Sequence, residues 1–426
     1  MEEKLPKVLV VGINAWRKDA TSHTLMNIFS CWDSDKLALL YTRADLPNTN
    51  VCSRFFQISE NDVLKSVFKP WIKTGREVQS TDIVNNAGVE EEHKRYAKAR
   101  KKRSYLMAVS REIVWMLGHW KSKALKDFVQ DFKPDIIFCP IYPTAYMGKL
   151  QRYIKKITGK PIVCYLADDN YSYDSCKGVL SYLHRFILRK QVKYLATHCK
   201  EMFVIVDKEK EETDRLFDTN SVILTKGLDF SKLDYRPHSV GQPIKFVYTG
   251  NLIIGRDKTL ALVADLLNKI NGDEVKATLE VYSPDTVDEV TMARLNNGCS
   301  KHCGFIPREK VGEVQQNADV VIFAEALEGK DSHAARLSFS TKITDYLSNS
   351  KCILAIGKGD IAPMDYFVRN DSAITATDEV QLEEKLRYIL NNPQMIEEYG
   401  QKAFDCAKRN HNKETIDKRF IQTICK

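Results

Sequence analysis

The sequence predicts an α/β protein built from two doubly wound domains. Short apolar runs alternate with amphipathic stretches of helical length, the pattern of parallel sheets covered by helices. The 426 residues suffice for two domains of about 200 residues each. The alternation stops once, at "LDFSKLDYRPHSVGQP" (Leu228–Pro243), and then restarts. That stretch is polar and broken by two prolines and a glycine, so it is expected to be the interdomain linker.

The elements follow in order. "KVLVVGI" (Lys7–Ile13) and "KLALLYT" (Lys36–Thr42) are continuous apolar runs, as in strands buried on both faces. "RFFQIS" suits a short third strand, and a long helical region is expected from about Asp62 to Phe132. Strands resume at "DIIFCP", "PIVCYLAD", "EMFVIVD" and "SVILTKG". Beyond the linker the expected strands are "IKFVYTG", "TLEVYS", "DVVIFA", "CILAIG" and "SAITA". The end looks helical from about Pro393, with a break near Arg409–Asn412. The expected boundaries are 1–235, 236–395 and a helical tail, 396–426, packing back on the first domain.

Composition narrows the class. Apolar residues make up 43%, ordinary for a chain with a real core. No apolar run reaches the roughly 18 residues that span a bilayer, and "MEEKLPKVLVVGI" lacks the features of a signal peptide. The 11 cysteines are odd in number and scattered, which suits reduced thiols and a cytoplasmic protein. "CSKHC" (Cys299–Cys303) is too small a set for a metal site, and none is expected. The net charge is +8, and "HKRYAKARKKR" (His93–Arg103) holds seven Lys or Arg. A solvated helix face explains such a run, and so does an anionic membrane surface. No aromatic platform accompanies it, so nucleic acid is not expected.

Ligands of doubly wound sheets bind beyond the carboxyl ends of the strands, so the loops there hold the candidate chemistry. "YTGNLIIGRDKTL" (Tyr248–Leu260) places Gly250, Asn251, Gly255, Arg256 and Lys258 between a strand and a helix. The glycines permit close approach, and the two cations suit a diphosphate. It is neither a P-loop nor GxGxxG. "FSTKITDYLSNSKCILAIG" (Phe339–Gly357) opens a helix with Ser340, Thr341 and Lys342. A hydroxyl there is explained by capping. A lysine is not, because a cation in the first turn opposes the helix dipole unless an anion binds. Asp345, one turn on, is placed for ribose hydroxyls.

This pair of segments, about ninety residues apart, resembles the GT-B glycosyltransferases, most closely the retaining, bacterial polysaccharide-type group called family 4. "ILTKGLDF" (Ile223–Phe230) resembles the turn closing that family's N-terminal domain. The resemblance implies two Rossmann-like domains with a cleft between them. It implies a nucleotide-diphosphate-sugar donor on the second domain, an acceptor on the first, and no required metal or other cofactor. It departs from the family at Leu337, where the first of two acids is usual, and at Asn251, where an arginine is common.

The acceptor side is expected in the first half. "GINAWRKDATSHTL" brings His23 near a helix start, and "LADDNYSYD" ends a strand with Asp168 and Asp169. Each could take an acceptor proton; helix capping explains the two acids equally well, and capping or an ordinary surface position explains His23 better. The expected activity is hexosyl transfer to a hydroxyl of a glycan or lipid-linked acceptor, in polysaccharide or glycolipid synthesis, with His93–Arg103 near the inner membrane face. The alternatives are a sugar-nucleotide epimerase of the same fold and a non-catalytic nucleotide- or nucleic-acid-binding protein.

Overall fold

The structure is a computed structural model and describes residues 5–18, 23–79, 105–174, 176, 178–237 and 239–426. The basic run His93–Arg103 lies outside these. The chain forms two compact units. The first comprises Met1–Ile205, Glu209–Thr225 and Asp417–Lys426, and the second comprises Val206–Lys208 and Lys226–Ile416.

The strands of the first unit are β1 (Val8–Val11), β2 (Leu37–Tyr41), β3 (Arg54–Gln57), β4 (Arg76–Val78), β5 (Ile136–Pro140), β6 (Ile162–Leu166), β7 (Glu201–Val204) and β8 (Val222–Ile223). Its sheet runs β4-β3-β2-β1-β5-β6-β7-β8. Every pairing is parallel except β3 with β4. The described helices are α1 (Thr24–Phe29), α2 (Glu60–Phe68), α3 (Tyr105–Leu117), α4 (Lys123–Phe132), α5 (Ala145–Thr158), α6 (Val179–His198) and α7 (Asp207–Phe217). β4 falls inside the stretch expected to be helical. It has three residues, two of them charged and exposed, so it carries no apolar signal.

The second unit contains β9 (Ile244–Thr249), β10 (Ala277–Tyr282), β11 (Ser300–Gly304), β12 (Val320–Ala324), β13 (Cys352–Ile356) and β14 (Ile374–Ala376). They form one parallel sheet in the order β11-β10-β9-β12-β13-β14. Its helices are α8 (Arg256–Asn271), α9 (Glu289–Leu295), α10 (Arg308–Gln316), α11 (Thr341–Ser348), α12 (Ala362–Arg369), α13 (Glu379–Asn391) and α14 (Gln394–Asn410). The core under them is mostly aliphatic, with Leu279, Ile322 and Leu354 fully buried beside Phe246 along neighbouring strands. β11 was not expected. It is an edge strand and carries the "CSKHC" segment. Among the described residues no cluster of three or more His, Cys, Asp or Glu could hold a metal.

The described residues of the linker stretch adopt neither helix nor strand, and the stretch is fastened within the second unit. Leu228 exchanges backbone bonds with His411 and Lys413 at 2.7 and 2.9 Å, and Phe230 and Tyr235 pack on Phe404 of α14. The helical end breaks between Asn410 and Lys413 as expected, and a last helix, α15 (Lys413–Cys425), follows. Its residue Phe420 belongs to the first unit, where it packs edge-on against Phe29 and Phe138 with centroids 5.2 and 6.2 Å away. No helix among the described residues is long and apolar enough to cross a membrane.

Candidate functional site

The order of the second sheet fixes where a ligand would sit. Strand order reverses at β9, whose neighbours are β10 on one side and β12 on the other. The switch point therefore lies between the carboxyl ends of β9 and β12. The residues there are Gly250 and Glu325.

The loop after β9 is shaped by its backbone. Gly250 has φ 148° and Gly255 has φ 76°. Between them Ile254 is held at φ 62°, a conformation that a β-branched residue rarely adopts. Asp285, from the loop after β10, accepts the Leu252 N–H at 2.8 Å, and the Tyr248 hydroxyl donates to the Asn251 carbonyl at 2.6 Å. Strain persists where surrounding structure over-determines it, and such loops cluster at ligand sites.

Lys342 enters this loop from α11. Ser340 caps that helix, its hydroxyl accepting the Lys342 N–H at 3.4 Å, and Thr341 is the first helical residue. The Lys342 ammonium lies 3.3 Å from the Tyr248 hydroxyl and 4.7 Å from the centre of its ring. It reaches across Gly250 so closely that a Cβ there would stand 1.8 Å from Nζ. Burial lowers the Lys342 pKa from 10.5 to about 8, and the Arg256 charge adds to the effect. Glu325 and Asp285 offset only part of the cost of desolvating this half-buried ammonium, and a bound anion would offset more.

Arg256 begins α8, and its charge is largely engaged. Its Nε and Nη2 donate to the two carboxylate oxygens of Glu325 at 3.0 and 2.7 Å, and Nη1 donates to the Asn251 side chain. Burial opposes the charge on Arg256, but Glu325 outweighs it and holds the guanidinium above its ordinary value. The Glu325 side chain is only 5% exposed. It follows β12 directly and continues the sheet ladder through Glu325 N–H to Ile356 O at 2.8 Å. Sequence reasoning missed Glu325. The signal was its place, the first residue after an apolar strand.

The other residues divide. Lys258 is exposed and about 200° round α8 from Arg256. Asp345 is 48% exposed and accepts from Lys226 Nζ at 2.6 Å, a partner not foreseen. Leu337 is fully buried in the core.

In the first unit, Asp169 is committed to its own loop. Its carboxylate accepts from the Ser172 N–H at 2.9 Å and from the Ser172 hydroxyl. Asp168 precedes it, and nearby Glu209 is fully buried. Burial raises the Glu209 pKa well above the carboxylate range, and the charges of Asp168, Asp169 and Glu212 add to this. His23 stands at the start of α1, yet its side chain makes no capping bond.

No known family model matches the sequence, and no curated protein matches it. Solved structures do. Anabaena HepE in complex with UDP aligns over 98% of this chain and 99% of its own at 11% identity, with TM-score 0.62. TarM aligns over 99% of each chain at 8% identity, with TM-score 0.63. Sucrose-phosphate synthase from Thermosynechococcus elongatus aligns over 98% of each chain at 10% identity, with TM-score 0.62. At these identities the likeness is one of fold, and the fold is that of the GT-B glycosyltransferases.

Proposed function

We propose that this protein is a glycosyltransferase that moves a hexosyl group from a nucleotide-diphosphate sugar to an acceptor hydroxyl. The observation that carries the reading is the half-buried Lys342 ammonium lying against Gly250 at the switch point of the second sheet. That arrangement suits the diphosphate of a donor. In the reaction the bond from the anomeric carbon to the diphosphate oxygen breaks and a bond to the acceptor oxygen forms. The acceptor proton leaves as negative charge grows on the diphosphate. Lys342, the Asn251–Arg256 pair and the N-terminus of α11 with Ser340 and Thr341 would stabilise that charge, without a metal. Asp345 would meet the ribose.

The first unit would bind the acceptor, a glycan or a lipid-linked sugar of surface polysaccharide or glycolipid synthesis, in the cytoplasm. Asp168 and Asp169, in the loop after β6, are the proton acceptors proposed there. Retention of configuration is part of the proposal through the family-4 resemblance. The buried Leu337, in place of an acid, favours a second reading: a domain pair that binds donor without turnover.

Thermal shift with a panel of nucleotide diphosphates and their sugars tests the reading. HepE was solved with UDP and with UDP-glucose, so uridine donors come first. Binding at a hundredfold excess over the dissociation constant stabilises by about 2.7 kcal/mol. A shift in the wild type that Lys342→Ala abolishes supports the donor grip. Sugar transfer then separates the enzyme from the binding protein. No shift with any nucleotide overturns the reading.

A further inference from the structure

The first unit leaves an apolar face in solvent. α6 is apolar on two sides. Leu188, Val192 and Leu195 bury against the unit, while Val179, Leu180, Tyr182, Leu183, Phe186 and Ile187 are exposed, Val179 at 86%. At 100° per residue these six fall within an arc of about 160°. Single exposed apolar residues are ordinary, but six within nine positions of one helix form a patch that marks a partner.

The chemistry of the outer face then changes along the helix. Lys190 and Lys193 are exposed one and two turns on, with Lys200 just beyond the end. The Lys190 ammonium lies 4.4 Å from the centre of the Phe186 ring. From Gly178 to Lys200 the sequence contains no Asp or Glu. α3 runs beside α6, with Glu112 Oε1 3.8 Å from His184 Nε2. The same Glu112 oxygen accepts the Ala145 N–H at 2.6 Å, so that acid is turned inward. α3 in turn exposes Leu106, Ile113 and Leu117, a stripe at helical spacing.

We propose that this face of α6 and α3 docks on an anionic bilayer. The apolar half of α6 would enter the boundary between headgroups and acyl chains, and Lys190 and Lys193 would meet lipid phosphates. An apolar stripe followed by cations without acids is the pattern of a helix lying in the membrane interface. A second copy of the chain fits less well, because a two-fold contact would set one basic face against another. This inference does not rest on the sugar-transfer reading.

The test is flotation of the full chain with phosphatidylcholine vesicles, with and without about one-third phosphatidylglycerol. The wild type should float with the anionic vesicles and at least roughly tenfold less with neutral ones. Phe186→Ser with Ile187→Ser should abolish flotation, and so should Lys190→Glu with Lys193→Glu, while both keep the wild-type circular-dichroism melt. A wild type that stays unbound overturns the proposal. So do variants that float like the wild type, since another part of the chain then does the binding. A wild-type dimer that the apolar variant dissolves, without any vesicle binding, assigns the face to self-association and overturns it too.

Discussion

The ammonium of Lys342 occupies the space that a side chain on Gly250 would need, the two standing 1.8 Å apart. Gly250→Ala should therefore expel the lysine. At φ 148° it also strains the backbone, at a cost of about 1–3 kcal/mol. Titration calorimetry should show nucleotide affinity lowered by at least roughly tenfold, about 1.4 kcal/mol. Affinity at the wild-type level in a folded Gly250→Ala protein would mean that the anion does not bind here.

Lys342→Met should separate stability from binding. It removes a half-buried charge while keeping the stem, so denaturant unfolding at pH 7 should show a gain of about 1–2 kcal/mol and no nucleotide response. The pH dependence has a definite sign. The folded pKa lies below the unfolded one, so this group's contribution is present above pH 10.5 and is lost as pH falls through about 8. Ligand binding runs the other way. The protonated lysine binds the anion, so nucleotide affinity should fall as pH rises past about 8, and Lys342→Met should show neither trend.

Glu325→Gln leaves the half-buried Arg256 without its carboxylate, beside the half-buried Lys342. Breaking one side of such a pair costs about 3–5 kcal/mol. The Glu325 charge also supports protonation of Lys342. The variant should melt lower and bind nucleotide with a midpoint of pH dependence below that of the wild type. An unchanged midpoint would show that Glu325 and Lys342 are not electrically coupled.

His411 is a different titrating group in the same unit. Its Nε2 lies 2.8 Å from the Tyr366 hydroxyl, and its ring stacks on Phe339. Burial, helped by the Lys226 charge, lowers its pKa from 6.5 to about 4. Stability from the neutral ring is full above pH 6.5 and is lost as pH falls toward about 4, by up to about 3 kcal/mol. Urea unfolding of His411→Gln should be flatter over that window than the wild type. Equal slopes would sink the assignment.

How much was legible depended on burial. β1 and β12 announce themselves, because strands covered on both faces read "VLVV" and "VVIFA". β4 and β11 do not. As edge strands they keep charged and polar residues, and their backbone pairing leaves no trace in hydropathy. Lys342 was legible because a lysine in a first helical turn conflicts with the dipole. Glu325 was not, because its meaning comes from Arg256, 69 positions away in sequence. Lys258 is a different case. Closeness in sequence to Arg256 suggests a shared ligand, while the helical turn sets the two residues about 200° apart round α8. The partner of Asp345 is Lys226, 119 positions away, which no local pattern reveals.

Phe420 seals the aromatic layer of Phe29 and Phe138, yet Lys226–Ile416 lies between it and the rest of the first unit. On a ribosome the first unit must wait for that whole insert to be made, a delay on the order of ten seconds or more. Until then Phe29 and Phe138 lack their cover, and the half-made unit offers a sticky surface to chaperones and to its neighbours on the polysome. Growth of the nascent chain thus sets an order of assembly in which the second unit can finish first.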